Sequence, residues 1–167
     1  PRAWLTHDAR QVDPSQILAM LQSGAVDPRQ TVLLEVAPPP VQPAVSGEVD
    51  STTVIEYTND RVRLLVNASS AGVVVLADTY DPDWEVYVDG RKSELYIANG
   101  ALRGVSVSAG IHEIEFRYES RALRIGLLIS GFSGLVMFCL MGWHCWESFG
   151  RKRARVTDPG DRQTSAH

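Results

Sequence analysis

The segment Asp78 to Gly90 reads D-T-Y-D-P-D-W-E-V-Y-V-D-G and crowds Asp78, Asp81, Asp83 and Asp89 around Tyr80 and Trp84. An aromatic ring stacks on the apolar face of a sugar while carboxylates accept its hydroxyl protons, and hard cations also take oxygen ligands. Asp78, Tyr80, Asp81, Asp83 and Trp84 are therefore the candidate contacts for a glycan or a cation. The competing reading is structural. D-P-D is ordinary turn chemistry, Asp89-Gly90 is a hairpin turn, and a tryptophan at an inward strand position belongs to a core.

Other chemistry finds less support. Asp81 and Asp83 have the D-x-D spacing of metal motifs in nucleotide-sugar enzymes, but Pro82 lies between them and no cofactor fold accompanies them. Glu113 and Glu115 sit two apart on one strand face that also carries Arg117, so they read as a solvated face and not as a hydrolytic carboxylate pair. His112 stands alone in a turn, and His7 and His144 lack partners at ligand spacing, so no metal is expected. No G-x-S-x-G elbow supports nucleophilic catalysis, and no glycine-rich phosphate loop occurs. No cofactor is implied. Asn67-Ala68-Ser69 matches a glycosylation acceptor, which matters only in a eukaryotic secretory pathway.

The elements that position these residues follow from periodicity. Ala3 to Val12 alternates as a first strand. Asp13-Pro14-Ser15-Gln16 then starts a short helix, with an N-cap carboxylate, proline at the first helical position and glutamine three residues after the cap. Asp27-Pro28 turns into the strand Thr31 to Val36, so residues 1–36 form a strand-helix-strand segment. A stiff, extended connector follows at 37–47, with four prolines among Ala37 to Pro43.

Residues 48–120 have a period of two. Ser51 to Thr58 and Arg61 to Asn67 flank Asn59-Asp60 as a hairpin, and the continuous apolar run Val73 to Ala77 reads as a central strand. Trp84, Val86 and Val88 alternate up to Asp89-Gly90, the strands Leu95 to Ala98 and Val105 to Val107 follow, and Ala109-Gly110 turns into Ile111 to Tyr118. Six or seven short antiparallel strands imply a mainly β fold, an antiparallel β-sandwich of jelly-roll or Ig-like type.

Ile125 to Trp146 is a run of about 22 positions whose ionisable side chains are Cys139, Cys145 and His144. It is a membrane span, placed within 122–146, and the lipid bilayer is its partner. Its C-terminal position excludes a signal peptide. Trp143 and Trp146 mark one interface. The basic cluster Arg151, Lys152, Arg153 and Arg155 in a disordered tail at 147–167 favours a cytoplasmic tail and an outward-facing domain, against the opposing Arg117, Arg121 and Arg124. Gly126, Ser130 and Gly134 repeat every four residues, the spacing at which helices pack closely, here against other spans of the same protein. The formal charge of −4 averages this helix with an acidic domain, no basic stripe tracks a nucleic acid, and the two cysteines cannot staple the domain.

The order of tyrosine, proline, tryptophan and D-G turn in Asp78 to Gly90, with A-N-G-A-L-R-G-V-S-V-S-A-G-I-H-E-I-E-F-R-Y from Ala98 to Tyr118 and R-I-G entering the span, resembles the carboxy-terminal end of the YfhO-like family of bacterial multi-pass membrane proteins. P-R-A-W-L at the start and D-P-R-Q-T-V-L-L-E from Asp27 to Glu35 extend the resemblance over nearly the whole chain. It implies the non-catalytic end of a GT-C-type glycosyltransferase of the bacterial cell membrane, one that uses a polyprenyl-phosphate sugar and carries its catalytic acids in an early loop absent here. The domain would then help to position a cell-envelope glycan or teichoic-acid-like acceptor. The alternatives are a free-standing, membrane-anchored interaction module without catalysis, and a structural lid. Pro1 in place of methionine and the lack of an export signal favour a piece of a longer protein.

Overall fold

The computed structural model describes residues 1–154, with side chains described for 1–120 and 125–143. It divides into a β-rich unit, Pro1–Ser120, and a second unit that begins at Arg121. In chain order the β-rich unit contains β1 Ala3–Thr6, β2 Asp8–Gln11, α1 Pro14–Gln22, β3 Thr31–Leu34, β4 Ser51–Tyr57, β5 Arg61–Ala68 and β6 Gly72–Thr79. There follow β7 Trp84–Val88, β8 Arg91–Ser93, β9 Tyr96–Ala98, β10 Leu102–Val107 and β11 Gly110–Tyr118. One sheet has the order β1-β6-β10-β9-β3-β2 and the other β4-β5-β11-β7-β8. All pairs are antiparallel except β2 and β3, which α1 connects as a parallel crossover.

The first alternating stretch is one strand by pattern and two by pairing. β1 pairs with β6 at one edge of the six-stranded sheet, and β2 pairs with β3 at the other. Only His7 separates them, so the two edges must lie side by side and the sheet is rolled. Rolling gives β6 two buried faces. Val74 and Leu76 meet Val105, Phe116, Ile114 and Leu64 between the sheets, whereas Val73 and Val75 meet Val32, Leu34 and Ala98 inside the roll. That is why Val73 to Leu76 is an unbroken apolar run: neither side of the strand is wet. Val41 of the proline connector packs against the interior cluster, and Ile17 of α1, with Val26 from the loop that follows, packs on Leu33.

Turn chemistry fixes the registers. Asp89 and Gly90 have φ of 51° and 76°, both left-handed, as a two-residue turn with the right twist for a hairpin requires. On the outer face of the five-stranded sheet Arg63 bridges Glu56 and Glu113, and Glu115 joins Arg61 and Arg117, so the glutamate pair is consumed in surface ion pairs.

In the second unit α2, Arg121–Ala154, contains Ile125–Trp143, a segment long and apolar enough to cross a membrane. Its 19 residues, at about 1.5 Å each, approach the thickness of a hydrocarbon core.

A Cβ added at Gly72 would lie 2.7 Å from the Thr6 carbonyl oxygen and 2.9 Å from Leu5 Cδ1, where β1 crosses closely over β6. Gly72→Ala is expected to lower the unfolding free energy of the full chain by about 1–3 kcal/mol, read by denaturant melts of the β-sheet ellipticity.

Candidate functional site

Of the candidate contacts, Asp78 and Trp84 come together at one end of the sandwich, around a residue that periodicity alone did not single out. Arg103 is 6% exposed, and its guanidinium carbon lies 3.7 Å from the centre of the Trp84 ring. Its Nε donates to the Thr79 carbonyl at 3.0 Å, and its Nη1 has no hydrogen-bond partner among the described residues. Burial pushes the guanidinium below its ordinary pKa, while Asp78, Tyr57 and Asp81 act in the opposite sense. The ring of Trp84 also meets Tyr118, centroids 5.4 Å apart and planes tilted by 60°. One face of Trp84 is therefore occupied by a cation, and the tryptophan packs on the core.

Asp78 lies at the end of β6. It accepts from the Tyr57 hydroxyl at 3.0 Å and pairs with Arg2 at 3.6 Å, and Arg2 in turn donates to Tyr57 at 2.8 Å. Asp81 closes the turn into β7: its side chain accepts from the Asp83 amide at 2.8 Å and its carbonyl from the Trp84 amide at 3.1 Å. The Tyr80 amide donates to Ala101, and the Glu119 amide to the Asp83 carbonyl. Asp78 and Trp84 thus converge on Arg103, whereas Asp81 and Asp83 face each other within a turn. Among the described residues no group of three or more His, Cys, Asp or Glu side chains is placed to hold a metal. Arg103 was legible after all: it stands in register with Val105 and Val107, the inward positions of its strand.

Two further clusters join residues that looked solitary. His112 faces Asp89 through Nδ1 at 2.7 Å and Ser108 through Nε2 at 3.1 Å. His7 meets Asp50 through Nε2 at 2.7 Å and Ser70 through Nδ1 at 3.1 Å. Sequence spacing hides both, because strand pairing brings the partners together from 23 and 43 positions away.

On α2, Gly126 and Gly134 have nothing of the chain within 4 Å of an added Cβ, and Ser130 shares their four-residue spacing. The side chains of Arg151, Lys152 and Arg153, and all of Arg155, lie outside the described residues.

Residues 9–130 match the family model described as bacterial membrane protein YfhO. The chain belongs to the YfhO family of bacterial membrane proteins. No curated protein and no solved structure matches it. The YfhO match takes in both sheets except β1 and the first residue of β2, together with Arg103, Trp84 and the start of the apolar helix, and this helix agrees with a membrane location.

The His112 clasp makes stability depend on acid. The hydrogen bond from His112, followed by that from the Glu113 amide, holds the Asp89 carboxyl below its ordinary value. A carboxylate lowered in the folded state stabilises fully above its unfolded pKa of about 3.9, and the contribution is lost as pH falls through the lower folded value. Asp89→Asn should therefore lower the melting temperature at pH 7 and have progressively less effect below about pH 4, measured by thermal melts across that range.

Proposed function

We propose that the chain is the carboxy-terminal part, non-catalytic in glycosyl transfer, of a GT-C-type glycosyltransferase that uses a polyprenyl-phosphate sugar, and that its sandwich faces the outside of the cell and helps to position the acceptor glycan. The observation that carries this reading is the location of the polar and aromatic cluster. Tyr57, Asp78, Tyr80, Trp84 and Arg103 lie at the end of the sandwich where β11 finishes, and the Glu119 amide is bonded to Asp83 just before α2 begins at Arg121. Two residues separate Tyr118 from α2, so an acceptor held here is close, along the chain, to the membrane.

The chemistry suits a polyhydroxyl ligand. Carboxylates accept hydroxyl protons, a phenol gives and takes one, and Tyr80 offers a ring that the Arg103 stack does not use. The basic run Arg151, Lys152, Arg153 and Arg155 supports an inside tail and an outward sandwich. A teichoic-acid-like or other cell-envelope glycan is the acceptor class.

The second reading, a membrane-anchored interaction module without chemistry, draws on the compactness of residues 1–120 and their own core.

Because Trp84 also holds Arg103, the decisive variants of the full-length transferase are Tyr80→Ala and Asp83→Asn. Each is expected to raise the acceptor KM by about 3- to 10-fold, the weight of one hydrogen bond or ring contact, with membrane abundance unchanged. An unchanged acceptor KM in both variants would sink the positioning role and leave the module reading.

A further inference from the structure

The sandwich carries a second polar centre at the opposite end of β11, away from the Arg103 cluster. Ser108 lies in the turn between β10 and β11, His112 is the third residue of β11, and Asp89 lies in the turn between β7 and β8. Asp89 is held rigidly against β11. Its amide donates to the Glu113 carbonyl at 2.8 Å, its Oδ1 accepts from the Glu113 amide at 2.9 Å, and its Oδ2 lies 2.7 Å from His112 Nδ1. A carboxylate at that distance places the imidazole proton on Nδ1, so the lone pair of the neutral ring is on Nε2, 3.1 Å from Ser108 Oγ. Serine, histidine and aspartate are then related as nucleophile, base and orienting acid.

The other cluster of the same composition is an internal contrast. Ser70 is 4% exposed, and its hydroxyl sits 2.9 Å from the carbonyls of both Gln42 and Pro43, so it clasps the proline connector and no substrate can reach it. Ser108 is exposed, while His112 is 13% exposed and so keeps its ring sheltered. These two residues and Asp89 line a cavity of about 520 Å³ with Val88, Arg91, Lys92 and Ser93. Lys92 is paired with Glu85 at 2.6 Å, which leaves Arg91 to answer negative charge in the cavity.

We infer that Ser108 is a nucleophile activated by His112, with Asp89 as its positioning residue, and that the cavity accepts a small acyl ester borne by an anionic group. In the reaction Ser108 Oγ bonds to the ester carbonyl carbon as its proton passes to His112 Nε2. The carbon–oxygen bond to the alcohol then breaks, and the alcohol leaves with that proton. Water, deprotonated by the same Nε2, cleaves the serine ester, releases the carboxylic acid and returns the proton to Ser108. Arg91 faces the charge that develops on the carbonyl oxygen.

The test treats the full chain in detergent micelles with a fluorophosphonate probe, maps the adduct by mass spectrometry, and follows hydrolysis of 4-nitrophenyl acetate. The expected result is an adduct on Ser108 that is absent in Ser108→Ala and forms about 100-fold more slowly in His112→Gln. A chain of intact β-sheet ellipticity with no adduct on Ser108, or an equal labelling rate in His112→Gln, overturns the inference. Should His112→Gln fail to fold, Asp89→Asn decides: a folded Asp89→Asn chain that labels as fast as the unaltered one overturns it too.

Discussion

A guanidinium removed from water must be answered by its surroundings, and Arg103 is the point at which this requirement organises the protein. Its charge rests on the π face of Trp84, its Nε on a backbone carbonyl and its field on Asp78 and Asp81. These partners follow one another along the chain: Asp78 and Thr79 close β6, Asp81 shapes the turn, and Trp84 opens β7. Tyr118, the last residue of the central strand β11, packs on the same indole. One buried cation thus fixes the ends of three strands together with the residue from which the chain departs toward the apolar helix. Tyr57 and Asp78 are arranged around this fixture.

The rolled sheet supplies the rigidity behind it. Because β1 and β2 pair with opposite edges across His7, the six-stranded sheet has few free edges and encloses a small core of its own. Gly104 shows how tight that interior is: an added Cβ would approach Ala98 Cβ to 3.2 Å. The clasp of Ser70, His7 and Asp50 closes the seam where the roll meets, and it ties the proline connector to the same place. The connector is thereby held as part of the fold.

Much of this was legible in the residues, for local reasons. Asp89-Gly90 announced a hairpin because few other pairs tolerate two left-handed residues in succession, and Asp13-Pro14 announced α1 through its cap. The apolar run Val73 to Ala77 announced a central strand, and Val73 to Leu76 of it are buried. What stayed hidden depended on pairing between distant segments. Nothing in the alternation of Ala3 to Val12 reveals that its halves lie at opposite sheet edges, and nothing near His112 reveals Asp89. Arg103 fell between these cases: its inward register was visible, but the aromatic partner that makes an inward arginine tolerable was not. The Asp81-Pro82-Asp83 turn was read both as chemistry and as a turn, and its hydrogen bonds are those of a turn.

The most direct test of this account is a double-mutant cycle between Arg103→Met and Trp84→Leu in the full chain, read by denaturant unfolding. If the guanidinium and the indole support each other as described, each single change is destabilising and the two are coupled by about 2 kcal/mol, the size of a desolvated cation–π contact. Additive effects, with a coupling below about 0.5 kcal/mol, would show that Arg103 does not depend on Trp84, and the organising role given to the pair would be wrong.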